Sequence, residues 1–171
     1  QVADAVHNGR VVASYGPFIR FAAEKWENGP GATVVSPDEV EFFIEVQSPS
    51  WFSVDRVELY ENGTLIHDWD LSENDDSLVD LSTSVVTTPE RDSWYVVIAL
   101  GDDDLSPLFT PVEVMPIQLQ DIVDGALEEI GALGDFFAGD TTAPIPRTFP
   151  ILPFALTNPI WIDKDDDGFD P

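Results

Sequence analysis

The sequence predicts a mainly β protein, an antiparallel sandwich with one inserted amphipathic helix. Three observations carry this reading. Apolar and polar residues alternate at period two over several short stretches, turn-forming Gly, Pro, Asn and Asp separate those stretches, and one longer stretch changes to helical spacing. The 171 residues suffice for one domain with a real core, and 43% hydrophobic with 11% aromatic residues supply that core despite a formal charge of −26.

Residues 11–22 read as the first strand. In residues 39–47, EVEFFIEVQ, Val40, Phe42, Ile44 and Val46 occupy one face and Glu39, Glu41, Phe43, Glu45 and Gln47 the other, the signature of a half-buried strand. After a corner at residues 49–52, Val57 and Leu59 oppose Arg56 and Glu58, and alternation resumes beyond Asn62-Gly63. Asn-Gly tolerates positive φ at both central turn positions, so this stretch predicts a tight hairpin. Residues 78–87 and 93–100 follow as strands, and SWYVVIAL is apolar enough for a central strand buried on both faces. Between residues 118 and 137, Leu119, Ile122, Val123, Ala126, Leu127, Ile130 and Leu133 fall at helical spacing, with Asp121, Asp124, Glu128 and Glu129 mostly off that stripe. The helix, about 118–134, has proline-rich flanks that suit extended connectors. The architecture expected is an immunoglobulin- or fibronectin-like sandwich in one domain, 1–171. Within it, 107–150 form a Pro-rich excursion and 157–171 a terminal strand plus an Asp-rich loop.

The balance of 33 acidic to 7 basic residues argues against nucleic acid as a partner, because binding phosphates needs Lys and Arg to displace counterions. The same field attracts cations and suits a salty or calcium-rich medium. Without cysteine there is no disulfide, thiolate zinc site or cysteine nucleophile. No apolar run approaches the ~20 residues of a membrane span. The chain begins at Gln1 rather than Met and reads as a piece of something longer.

The closing stretch, TNPIWIDKDDDGFDP, contains the one concrete site. Asp163, Asp165 and Asp167 alternate and Gly168 follows, as in calcium loops whose first, third and fifth residues give side-chain oxygens and whose sixth is Gly. Phe169 would give its carbonyl oxygen. The bidentate Glu of the full twelve-residue form has no counterpart, so Asp170 or an acid from a neighbouring loop must complete the shell. The same aspartates also fit a solvated acidic tail.

Other chemistry lacks an anchor. The two histidines, His7 and His67, form no metal-binding pair, and there is no G-x-S-x-G. Of five tryptophans, Trp51 and Trp94 read as core, whereas Trp26 and Trp69 are candidates for an exposed sugar-stacking surface.

Four stretches taken together resemble the C-terminal β-sandwich that follows the catalytic domain in CehA/McbA-like metallohydrolases of the polymerase-and-histidinol-phosphatase (PHP) superfamily. They are NGRVVASYGPFIRF (8–21), VQSPSWFSVDRVELYENGTLI (46–66), DSWYVVIALG (92–101) and FALTNPIWIDKDDDG (154–168). The resemblance implies a non-catalytic accessory domain, structural or interaction-bearing, because the family's metal-binding histidines and acids lie in a preceding barrel and find no match here. It implies an N-terminal catalytic domain as partner, a phosphoesterase or other metal-dependent hydrolase of which this chain is a fragment. An extracellular or periplasmic location fits both the family and a weak calcium loop. The expected cofactor is structural Ca²⁺, held by Asp163, Asp165, Asp167, Phe169 and Asp170. The alternative function is a carbohydrate- or surface-binding module with a glycan as partner.

Overall fold

The computed structural model describes residues 2–36, 38–72, 78–113 and 148–169. The helix expected at about 118–134 lies outside them. The chain divides into two compact units, Gln1–Leu105 with Leu152–Pro171, and Ser106–Ile151.

The first unit begins with a short helix, α1 (Val2–His7). Its strands are β1 (Val12–Tyr15), β2 (Phe18–Ala23), β3 (Thr33–Val35), β4 (Val40–Gln47), β5 (Arg56–Glu61), β6 (Thr64–Asp70), β7 (Val79–Thr87) and β8 (Ser93–Leu100). In the second unit, β9 (Val112–Glu113) pairs antiparallel with β10 (Thr148–Phe149). The chain then returns to the first unit as β11 (Phe154–Thr157) and β12 (Ile160–Asp163).

Two sheets form the first unit. In the larger, β8 pairs with β5 on one side and with both β11 and β12 on the other. β6 extends the sheet beyond β5, β1 beyond β11 and β3 beyond β12. The smaller sheet has the order β2-β4-β7. The architecture is the antiparallel β fold expected, with one parallel pairing among the described residues, β3 on β12.

The core follows from the period-two pattern. Val40, Phe42, Ile44 and Val46 are buried in the small sheet, and Val57, Leu59, Tyr95, Val97, Ala99, Ala155, Ile160 and Ile162 in the large one. All twelve belong to one apolar cluster. Phe42 and Tyr95 meet across the sheets with ring centroids 4.5 Å apart. The Tyr95 hydroxyl donates to the Glu61 carboxylate at 2.8 Å and accepts from Thr87 at 3.4 Å, so a polar link joins β5 to β7 at the core's margin. Burial pushes this phenol well above its ordinary pKa.

Three expectations are corrected. Residues 11–22 are not one strand: Gly16, at φ 118°, and Pro17 break the ladder, and β1 and β2 belong to different sheets. β8 is not buried on both faces, since Trp94, Val96, Ile98 and Leu100 on its outer face are half-buried while Tyr95, Val97 and Ala99 are fully covered. Trp51 is 54% exposed rather than core, its ring meeting Phe52 edge-on. The 49–52 corner turns Trp51 outward, and it is Val54, just beyond the corner, that joins the core. The Asn62-Gly63 hairpin has positive φ at both positions, 50° and 79°, as its sequence demands.

β11 and β12 are two parts of one run beside β8, separated by a bulge. Leu156 faces Ile98 and Ile160 faces Tyr95, so the three residues 157–159 span only two on β8. The Thr157 hydroxyl fills the gap by accepting the Val97 amide at 3.0 Å. Asn158 donates its amide to Val11 O, and Gly31 donates to Pro159 O. Gly31 has φ 83°, and a Cβ there would lie 2.1 Å from Asn8 O, so the loop before β3 reaches the bulge only with glycine. Thr157→Val keeps the shape but leaves a buried amide unpaired. It should lower stability by about 1–3 kcal/mol in denaturant unfolding, with Thr157→Ser close to the parent.

Candidate metal centre

The register of the large sheet builds the site. Ile162 on β12 is paired with Ser93 on β8, so the next residues outward, Asp163 and Asp92, come side by side at the sheet's end. Both are more than nine-tenths buried, with 5% and 6% of their surface exposed. The backbone of Asp163 remains in the sheet, pairing with Val35 and accepting from the Ser36 amide at 3.0 Å. Its side chain is free to organise the loop that follows.

That loop wraps around the Asp163 carboxylate. One oxygen accepts from the Asp166 amide at 2.8 Å and the other from the Gly168 amide at 3.1 Å. The Lys164 amide donates to Asp92 at 2.8 Å. Positive φ at Asp166 (62°) and Gly168 (101°) turns the amides inward, a conformation that Asp tolerates and Gly adopts freely. Phe169 anchors the far end through an edge contact with Trp161, ring centroids 4.7 Å apart.

Among the described residues, Asp92, Asp163 and Asp167 each place a carboxylate oxygen within 4.8 Å of the others. Asp165 lies beside this group and shares a hydrogen bond with Asp167, whose carboxyl is held above the usual range first by that bond and then by the charge of Asp165. Of the predicted ligands, then, the fold brings together Asp163 and Asp167, and sets Asp165 against Asp167. Phe169 is placed by its ring, and Asp170 lies outside the described residues. Asp92 was missed, because a lone acid 71 positions before Asp163 becomes its neighbour only through strand register.

The electrostatics favour a cation. The carboxylates repel one another, weakly at the exposed Asp167 and more strongly between the buried Asp92 and Asp163. Backbone amides offset the loss of water around each carboxylate but not this mutual repulsion. The three groups are all hard oxygen donors, which suit Ca²⁺ or Mg²⁺ rather than a transition metal.

The other singled-out residues lie elsewhere. His7 ends α1 and His67 lies on β6, both exposed, with the His67 ring stacked on Trp69 at 5.5 Å. Trp69 packs against the core edge, and Trp94 is half-buried on the outer face of β8. Trp26 is half-buried beneath the Arg20 guanidinium, 4.2 Å from its ring.

No protein-family profile matches the sequence, and no curated protein matches it either. Among solved structures, the chain is similar to the solution NMR structure of a CARDB domain from Pyrococcus furiosus. The TM-score is 0.29 at 16% identity, covering 53% of this chain and 80% of that one.

Asp163→Ala removes the acceptor for two amides and should destabilise the chelated protein by about 2–4 kcal/mol. Asp167→Asn, at an exposed position, should leave stability in chelator close to the parent's when both are unfolded in urea.

Proposed function

We propose that this chain is a non-catalytic β-sandwich module whose terminal strand is fastened by a structural Ca²⁺ held by Asp92, Asp163 and Asp167. The observation that carries this reading is the pairing of two nearly buried aspartates from the ends of adjacent strands, with a third carboxylate reaching them from the loop. Two of the three groups are fixed by backbone amides in the folded chain, which suits a clamp better than a reaction centre needing an open coordination position. The ion would neutralise the cluster and tie the 163–169 loop to the start of β8. Asp165 is then an outer neighbour that orients Asp167.

The resemblance to the C-terminal sandwich of PHP-type metallohydrolases supports an accessory role beside an N-terminal catalytic domain. A shell with only three protein carboxylates suits the millimolar calcium of an extracellular or periplasmic setting.

Thermal unfolding at fixed ionic strength tests the clamp. Calcium in about hundredfold excess over its Kd contributes about 2.7 kcal/mol, or a Tm rise of about 5–10 °C for a chain of this size. Equimolar Mg²⁺ should give much less, and Asp167→Asn should lose most of the rise while keeping its Tm in chelator. Coincident curves with calcium and chelator would exclude the clamp and leave the aspartates a solvated terminus.

A further inference from the structure

We infer that the outer face of the β2-β4-β7 sheet is a binding surface for a neutral polysaccharide chain. The inference rests on the reading of the chain as a non-catalytic module but not on the calcium ion. Register places three rows of outward side chains together. Phe18 lies opposite Gln47, Arg20 opposite Glu45 and Ala22 opposite Phe43, with Ser82 beyond Glu45 and Ser84 beyond Phe43. Phe18 is 58% exposed, Arg20, Ser82 and Ser84 are exposed, and Phe43, Glu45 and Gln47 are half-buried. Ala22 is buried, so the open part of the face runs from Phe18 to Arg20 on β2 and from Gln47 to Phe43 on β4, the latter a span of about 13 Å, long enough for a short run of sugar rings.

A strained turn supplies the remaining aromatic ring. Glu24, Lys25 and Trp26 are three consecutive non-glycine residues with φ of 52°, 60° and 70°. Left-handed backbone costs roughly 1–2 kcal/mol per residue, and consecutive residues of this kind persist only where their surroundings hold them. Here the holding contacts are plain. Ala23 and Asn28 exchange backbone hydrogen bonds at 2.8 and 3.3 Å, and the Asn28 side chain donates to the Glu24 carboxylate at 2.9 Å. The result is that Trp26 folds back over the sheet, its ring 5.6 Å from Phe43 and beneath Arg20.

The chemistry of this face matches a sugar better than other occupants. The exposed Phe18 ring offers an apolar face to the C–H side of a pyranose, while Trp26, in contact with Arg20 and Phe43, holds the Arg20 guanidinium over this face. Arg20, Glu45 and Gln47 offer the paired donors and acceptors that vicinal hydroxyls need, and Gln47 already donates to Glu45 at 2.8 Å, which orders the row. A protein partner would call for a continuous apolar centre, whereas here polar side chains run between the rings. The formal charge of −26 opposes anionic chains, a repulsion that a neutral chain escapes.

The test is calorimetric titration of the full chain, in calcium and again in chelator, with neutral oligosaccharides: beta-linked glucan, xylan and mannan, and an alpha-linked glucan. Saturable binding to at least one is expected, weakened about tenfold or more by Trp26→Ala and by Phe18→Ala, and unchanged by Trp51→Ala. Phe18 is exposed, so its variant keeps the fold and remains informative if Trp26→Ala relaxes the turn. Absence of saturable binding to every sugar overturns the inference, as does binding indifferent to Phe18→Ala. The melting response to calcium, recorded on the same samples, separates failure of this surface from failure of the clamp.

Discussion

Strand β8 is the member on which the first unit depends, and the constraint it imposes is that one bulged run must serve as its partner along its whole length. β11 covers one half and β12 the other. The bulge at residues 157–159 shifts the run by one residue, which by itself would strand the Val97 amide in the core. The Thr157 hydroxyl takes that amide, and Pro159 sits where no amide hydrogen is needed. The break also lets the run carry two different outer neighbours, antiparallel β1 and parallel β3.

From this constraint the aspartate cluster follows. Once the register of β12 is fixed by the bulge, Asp163 must stand next to Asp92, and both are buried by the sheet around them. A slip of one residue would turn Asp163 to the opposite face and dissolve the group. The loop geometry then does the rest: amides of Lys164, Asp166 and Gly168 point at the two carboxylates, and Asp167 is swung over them.

The parts legible in the sequence were those governed by local pattern. The alternation of residues 40–47 and the Asn62-Gly63 turn each specify one backbone state, and both appear as read. What local pattern could not reveal was which sheet a strand would join. Residues 11–22 alternate well enough for one strand, yet the Gly16-Pro17 corner sends the halves to different sheets. Trp51 is apolar enough for the core, but its corner points it to solvent. In the loop, the D-x-D-x-D-G spacing located Asp163 and Asp167, whereas Asp92 required the register of a pairing 71 residues distant.

In the proposed clamp, an ion among their aspartates closes the end of β12 and the start of β8 into one unit. Hydrogen exchange at the amides of Lys164, Asp166 and Gly168 reads this directly, since these three donate to the carboxylates concerned. With calcium they should exchange nearly as slowly as amides in the middle of β8, and in chelator they should open locally and far faster while β8 stays protected. Equal exchange at these amides with and without calcium would contradict the claim.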